Sequence, residues 1–301
     1  MRAGTTDELF SNYKQSVAEL GLGTEPVGAK YLVTLKSLSN WRVSMRNSAE
    51  HQPLAIITGG SRGLGRSMAL HLADRGVNTI ITYQANGAAA QQVCEAVGEK
   101  GATCVALPLD LSSSPDMQGF AEEVRSLLAS RFERPTFDYL VNNAGHGVYA
   151  SFEETTEEQL QAIMQVHFKA PFLLTQALLP SIAAGGSIWN VSSGLTRFTL
   201  PGYGLYAAVK GAVEVLSRYQ AAELGSRNIR VNTLAPGAIA TDFGGGAVRD
   251  NPELNRHVAA SVALGRVGEA DDIGAIVALL LSPAAGWLNG QRIEVSGGQS
   301  L

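Results

Sequence analysis

Thr58-Gly59-Gly60-Ser61-Arg62-Gly63-Leu64-Gly65 stands between two contrasting patterns. Before it runs Leu54-Ala55-Ile56-Ile57-Thr58, short, apolar and β-branched, which reads as a strand. After it Leu64, Met68, Leu72 and Ala73 recur at helical spacing until Gly76 stops the pattern. A glycine-rich turn at such a junction lets the backbone approach a ligand closely. The N-terminus of the following helix offers free N–H groups and positive potential, which favour a phosphate. Gly59, Ser61, Arg62, Gly63, Leu64 and Gly65 are therefore candidates for holding a phosphorylated ligand.

Working outward, strands and helices alternate. Strands are expected at 77–82, 103–107, 139–141, 187–191, 229–234 and 291–295, and helices at 88–100, 117–128, 203–224 and 271–281. Repeated β-α units with nearly continuous apolar strands imply a parallel sheet covered on both faces, and right-handed crossovers make it doubly wound, a Rossmann fold of the α/β class. Residues 53–301 read as one such domain. Residues 1–52 read as an N-terminal extension: Leu9, Phe10, Tyr13, Val17 and Leu20 allow one amphipathic helix near 8–21, the alternative being a partly disordered leader.

The composition excludes several classes. Of 301 residues 45% are hydrophobic and only 17% charged, so most of the chain has material for a core. A net charge of −4 gives no reason to expect a nucleic-acid partner. The two cysteines, Cys94 and Cys104, lack metal-ligand spacing and read as reduced thiols; no metal is expected. No apolar run approaches the roughly 18 residues of a membrane span, and Asp7, Glu8, Asn12 and Lys14 interrupt any secretory core. A cytoplasmic location is the default expectation.

The glycine turn, placed in the first β-α unit of a doubly wound sheet, points to a dinucleotide. NAD readers usually carry a carboxylate about 20 positions on, at the end of the second strand, for the ribose 2′-hydroxyl. Here that strand ends Thr82-Tyr83-Gln84, with Thr82 a further cofactor-binding candidate and no carboxylate. Arg62 can pair with a 2′-phosphate, so NADP(H) is expected over NAD(H).

A second constellation lies far along the chain. Tyr206 and Lys210 are four residues apart, hence on one face of a helix. A tyrosine is a poor acid/base at neutral pH, and a neighbouring ammonium is expected to favour its phenolate. Ser193, 13 residues earlier, follows a strand and can hydrogen-bond a substrate oxygen alongside the tyrosine. This set suits hydride transfer at a carbonyl carbon while tyrosine donates a proton to the oxygen.

Taken together, the pattern resembles the short-chain dehydrogenase/reductase family, in the single-domain branch similar to 3-oxoacyl-[acyl-carrier-protein] reductases, over about 53–298. The family's Thr-Gly-x-x-x-Gly-x-Gly is present as Thr58 to Gly65, its adenine-side aspartate as Asp110-Leu111, and its Asn-Asn-Ala-Gly as Asn142-Asn143-Ala144-Gly145. Ser193, Tyr206 and Lys210 match its catalytic residues. Pro236-Gly237, running through Ile239 to Thr241, matches its nicotinamide-side segment, and Asn232 and Gly297-Gly298 also match. There is one departure: Val166-His167-Phe168-Lys169-Ala170-Pro171-Phe172 puts His167 where the family has an asparagine that supports a proton-relay water. Histidine can take over that relay, or block the water, or the backbone carbonyl can suffice.

The resemblance implies an NADPH-dependent oxidoreductase reducing a ketone to an alcohol. A second reading is a catalytically weak NADP-binding regulator or scaffold of the same fold. It also implies a lid between Thr241 and about Gly265, where Gly244-Gly245-Gly246 would be mobile, and a homodimer or homotetramer assembled through helices near 115–131 and 156–180 and the last strand. Gly194, Leu195, Phe198, Tyr203, His146 and Phe243 are the residues expected to face substrate. They are mostly apolar, favouring a hydrophobic ketone or acyl chain. Arg62→Ala should raise the KM for NADPH by about tenfold and leave that for NADH nearly unchanged; equal effects on the two cofactors contradict the 2′-phosphate assignment.

Overall fold

The computed structural model describes residues 52–301; the helix expected near 8–21 lies outside them. Seven parallel strands form one sheet: β1 (Leu54–Ile57), β2 (Asn78–Tyr83), β3 (Cys104–Pro108), β4 (Phe137–Asn142), β5 (Ile182–Val191), β6 (Arg230–Pro236) and β7 (Arg292–Val295), in the order β3-β2-β1-β4-β5-β6-β7. The connecting helices are α1 (Gly63–Ala73), α2 (Gly87–Glu99), α3 (Met117–Arg131), α4 (Glu157–Met164), α5 (Ala170–Leu178), α6 (Gly204–Leu224), α7 (Ala247–Asp250), α8 (Pro252–Ala259) and α9 (Ala270–Leu280).

Side chains alternate across the sheet, and each face has its own core. Leu54, Ile56, Leu140 and Ile188 face α3 and α5 through Phe120, Val124, Leu128 and Leu174. Ala55, Ile57, Val141 and Trp189 face the other way, against Met68 and Leu72 of α1, Val93 of α2 and Val277 of α9. This two-sided burial is why the strands read as apolar runs and not as alternating ones.

Two stretches differ from the sequence expectation. β5 begins at Ile182, five residues before the expected Ser187. Ala183-Ala184-Gly185-Gly186 has low strand propensity, with Gly185 at φ +85°, and the register shifts between Phe137 and Tyr139 opposite it. The segment 156–180 is not one long helix. A Thr156/Gln159 capping box starts α4, and Gln165–Lys169 then widens into a π-helical turn before α5.

The strand order reverses between β1 and β4, which lie side by side with Ile57 opposite Val141. In an open parallel sheet the carboxyl ends of such a pair leave a crevice, because the connections diverge to opposite faces. Thr58 and Asn143 stand at its mouth. Trp189 is fully buried on β5, its indole N–H donating to Ser187 Oγ at 3.1 Å. Trp189→Ala should cost about 3–5 kcal/mol in a denaturant titration; a cost below 1 kcal/mol would place that face of β5 outside the core.

Candidate active site

At the crevice the backbone packs to its limit. Gly59 has φ +67°, and a Cβ there would lie 2.9 Å from Ala144 Cα. A Cβ on Gly65 would overlap the Gly59 carbonyl oxygen. Gly59 N–H donates to Thr82 Oγ1 at 3.2 Å and Gly60 N–H to the Thr82 carbonyl at 2.8 Å, so Thr82 holds the turn from β2. α1 opens with no side-chain cap on its first turn and no acidic residue there, leaving its first N–H groups and positive end for a ligand.

Thr58 was expected only as part of the motif, yet it is the hub. Its Oγ1 receives the Asn143 N–H at 2.9 Å and the Ala144 N–H at 3.0 Å, while Asn143 Nδ2 returns a bond to the Thr58 carbonyl at 2.8 Å. The ends of β1 and β4 are thereby stapled. Ser61 and Arg62 lie on the outer side of the turn. The Arg62 side chain is 74% exposed and 3.8 Å from Asp242 Oδ2, a pairing too exposed to hold it firmly. Gly63 faces Thr241 across a cavity of about 180 Å³, lined also by Arg66, Ser67 and Arg249. Asp110 accepts from Ser112 Oγ at 2.6 Å, Ser112 N–H at 2.9 Å and Gln84 Nε2 at 3.0 Å, and these bonds hold its carboxyl below the usual range. Leu111 turns its side chain into the core, and its carbonyl accepts from Gln165 Nε2 at 3.0 Å. Pro236 ends β6, Gly237 packs on Ser296, and Ile239 pairs with Gly268.

The second constellation converges on the same crevice. Ser193 opens the short turn Gly194–Thr196, its Oγ accepting the Leu195 N–H at 3.2 Å. Tyr206 and Lys210 occupy the buried face of α6, 6% and 4% exposed. Lys210 Nζ donates to the Val191 carbonyl at 2.7 Å and sits 5.6 Å from the Tyr206 ring centroid. One expectation is corrected here: the ammonium does not pull the phenol down. Burial pushes the Tyr206 phenol above its ordinary value, with a hydrogen bond from Ser193 opposing, so the tyrosine remains a proton donor. The ammonium itself loses its hydration, and the Lys210 pKa falls to about 7.

His167 lies on the π-helical turn, 2% exposed, its ring edge-on to Tyr206 at 5.3 Å between centroids. Its Nε2 lies 2.7 Å from the His146 carbonyl and 3.2 Å from the His146 N–H; the shorter contact is to an oxygen that can only accept, which assigns the proton to Nε2 and leaves Nδ1 an acceptor, buried and without a partner among the described residues. Burial, with Lys210 nearby, holds the imidazole well below its usual pKa and therefore neutral. Phe243 closes the opposite side at 5.7 Å from the Tyr206 ring. The glycine run after it is a turn, with Gly244, Gly245 and Gly246 all left-handed at φ +61°, +73° and +79°, a conformation that costs other residues dearly.

Two charged residues behind Ser193 carried no signal in the sequence. Arg292 of β7 donates to the Ser193 carbonyl at 3.2 Å and to Glu214 Oε1 of α6 at 2.9 Å; Glu214 also accepts from Ser192 at 2.7 Å. They lie 78 residues apart, and no spacing rule joins them.

A family model described as enoyl-(acyl carrier protein) reductase matches residues 59–300. An uncharacterized oxidoreductase of Methylorubrum extorquens is 36% identical over 245 residues, 81% of this chain and 96% of the relative. The chain belongs to the short-chain dehydrogenase/reductase family. It is an oxidoreductase of that family. A tetrahydroxynaphthalene reductase of Pestalotiopsis fici is 31% identical over 87% of this chain and 98% of its own length. Among solved structures, an angucycline C-6 ketoreductase with bound NADP superposes with a TM-score of 0.78 at 34% identity, covering 82% of this chain and 95% of that one.

The departure from the family's asparagine has a steric consequence. A Cβ on Gly145 would lie 2.9 Å from His167 Nδ1 and overlap its Cε1. Gly145→Ala should destabilise by about 1–3 kcal/mol, and His167→Asn in the same chain should recover more than half, since asparagine ends short of the clash. Equal melting temperatures for the single and double variants contradict the contact. His167→Asn alone is expected to keep or raise turnover.

Proposed function

We propose that this short-chain dehydrogenase/reductase reduces an apolar, aromatic ketone to the alcohol with NADPH. The observation that carries the reading is the joint burial of Tyr206, Lys210 and the Ser193 turn at the crevice between β1 and β4, where the glycine cradle also lies. The cradle suits a dinucleotide: at Gly59 and Gly65 nothing larger than hydrogen fits, and the uncapped start of α1 suits a pyrophosphate. Gly59, Ser61, Gly63, Leu64 and Gly65 would hold the phosphates, with Arg62 on the 2′-phosphate. Thr82, Asp110, Leu111, Asn143, Ala144 and Gly145 would border the adenosine and ribose, and Pro236, Gly237, Ile239 and Thr241 the nicotinamide end. The bound cofactor supplies the hydride.

In this reading Ser193 and Tyr206 hydroxyls donate to the ketone oxygen, and the Tyr206 proton passes to it as negative charge develops. Protonation of the phenol by burial suits reduction. Lys210 positions the ribose and returns a proton toward Tyr206. His167 Nδ1, a buried acceptor with no partner among the described residues, can hold the water that feeds Lys210. Arg292 and Glu214 fix the Ser193 backbone from behind.

Aromatic side chains flank the mouth: Phe243 against Tyr206, Tyr203 edge-on to Tyr149 at 5.4 Å, and Phe198 against Gly194. Flat rings stack on such walls. The named relatives that act on hydroxynaphthalene and angucycline compounds support a fused-ring ketone over an acyl chain. Among the described residues no helix is long and apolar enough to cross a membrane. A cytoplasmic homodimer or homotetramer, with 53–301 as the catalytic domain and 1–52 as its extension, completes the reading.

The test is NADPH oxidation against fused-ring ketones, aliphatic ketones and acyl thioesters. Preference for the fused-ring ketones supports the proposal; tight NADPH binding without turnover on any of them favours a regulatory or scaffold role. Reduction needs Lys210 as a cation, and its pKa of about 7 belongs to the free enzyme. The kcat/KM for reduction should therefore be flat at low pH and fall about tenfold per unit above about 7; a flat profile to pH 9 contradicts that role.

A further inference from the structure

The chain holds two cysteines in 301 residues, and the fold brings them together. Cys94 lies on the buried side of α2 and Cys104 opens β3, the edge strand of the sheet. Both are free thiols, with their sulfurs 2.6 Å apart. The connection between them is short and rigid. Lys100 N–H and Ala102 N–H both return to the Val97 carbonyl, at 3.1 and 3.3 Å, and Gly101 takes φ +82° to make the turn. Thr103 N–H is pinned to Asn78 Oδ1 at 2.7 Å. Helix and strand therefore hold the two sulfurs against each other, and the loop they would close contains few residues to reorganise.

The surroundings suit thiol chemistry. Cys94 is 9% exposed, and Cys104 is half-buried at the sheet edge, so both lie close beneath the surface. Thr79 Oγ1, buried on β2 and in register with Cys104, has no hydrogen-bond partner among the described residues. The two sulfurs are in direct contact and either can donate to the other; this contact holds the Cys94 thiol below its ordinary pKa, with burial opposing, and the Cys104 thiol above it. Cys94 is thus the sulfur that ionises first, and Cys104 the one placed to resolve it.

We propose that Cys94 and Cys104 are a reversible two-electron redox site, separate from the hydride chemistry, which a hydroperoxide oxidises to a disulfide. The Cys94 thiolate attacks the peroxide, breaking its O–O bond, and becomes a sulfenic acid while hydroxide or alkoxide leaves and takes up a proton. The Cys104 sulfur then attacks Cys94 Sγ, forming the S–S bond and releasing the sulfenic oxygen as water. With hydrogen peroxide the balance is two thiols and one peroxide giving one disulfide and two waters. A dithiol reverses it. The product fastens α2 to the edge of the sheet, next to the strand that carries Thr82.

The test uses the full chain, reduced, desalted and treated with stoichiometric hydrogen peroxide, followed by thiol counting under denaturing conditions and by intact mass. Both thiols should disappear together, the mass should fall by two hydrogens, the chain should stay monomeric on a denaturing non-reducing gel, and dithiothreitol should restore both thiols. Cys104→Ser should instead gain one oxygen at Cys94, trapped by a sulfenic-acid reagent, and Cys94→Ser should lose its remaining thiol at least tenfold more slowly than the parent. Persistence of both thiols in the parent, a gain of oxygen mass there, or disulfide-linked dimers would overturn the proposal. The parent measurement stands even if a variant fails to fold.

Discussion

The architecture of the site rests on one contact, the approach of β1 to β4 where the strand order reverses. Thr58 Oγ1 draws two backbone N–H groups of the β4 segment to itself, and Asn143 returns a bond to the Thr58 carbonyl. This fixes the width of the crevice. The glycines at 59 and 65 then follow as necessities, because the backbone of one turn occupies the space a Cβ would need on the other. Everything that faces the crevice, from the start of α1 to the Ser193 turn, is placed relative to that staple.

The reacting end solves a different problem, the burial of an ammonium beside a phenol. Among the described residues Lys210 Nζ has one hydrogen bond, to the Val191 carbonyl, and burial strips its hydration. Its cationic form is thus held near its limit, while the same burial keeps the Tyr206 proton on. Two groups with ordinary pKa values near 10 are driven in opposite directions by one apolar environment, because one carries charge when protonated and the other when deprotonated. That environment is built by α6, His167 and Phe243.

The α/β class, the strand series and the glycine turn were legible in the sequence, since burial on both faces leaves a run of apolar residues that needs no tertiary knowledge to read. Ser193, Tyr206 and Lys210 were legible as a set only beside that turn. Boundaries failed where local propensity and pairing disagree, as in the small residues that open β5. The π-helical turn at Gln165–Lys169 was not legible, since no residue type marks a widened helix. Nor were Glu214 and Arg292: their partnership arises from β7 closing on α6, a contact between distant segments. The expectation of a lowered phenol pKa failed because proximity on a helix face says nothing of how much water the pair keeps.

In the proposed reaction Tyr206 is the proton donor to the substrate oxygen and has no part in holding the fold or the phosphates. The direct measurement is Tyr206→Phe, with NADPH affinity followed by nicotinamide fluorescence and turnover by nicotinamide absorbance on the best ketone substrate. Affinity is expected within about threefold of the parent, and turnover lower by about 10³-fold or more. Turnover within tenfold of the parent would contradict it and leave the proton to another group in the crevice.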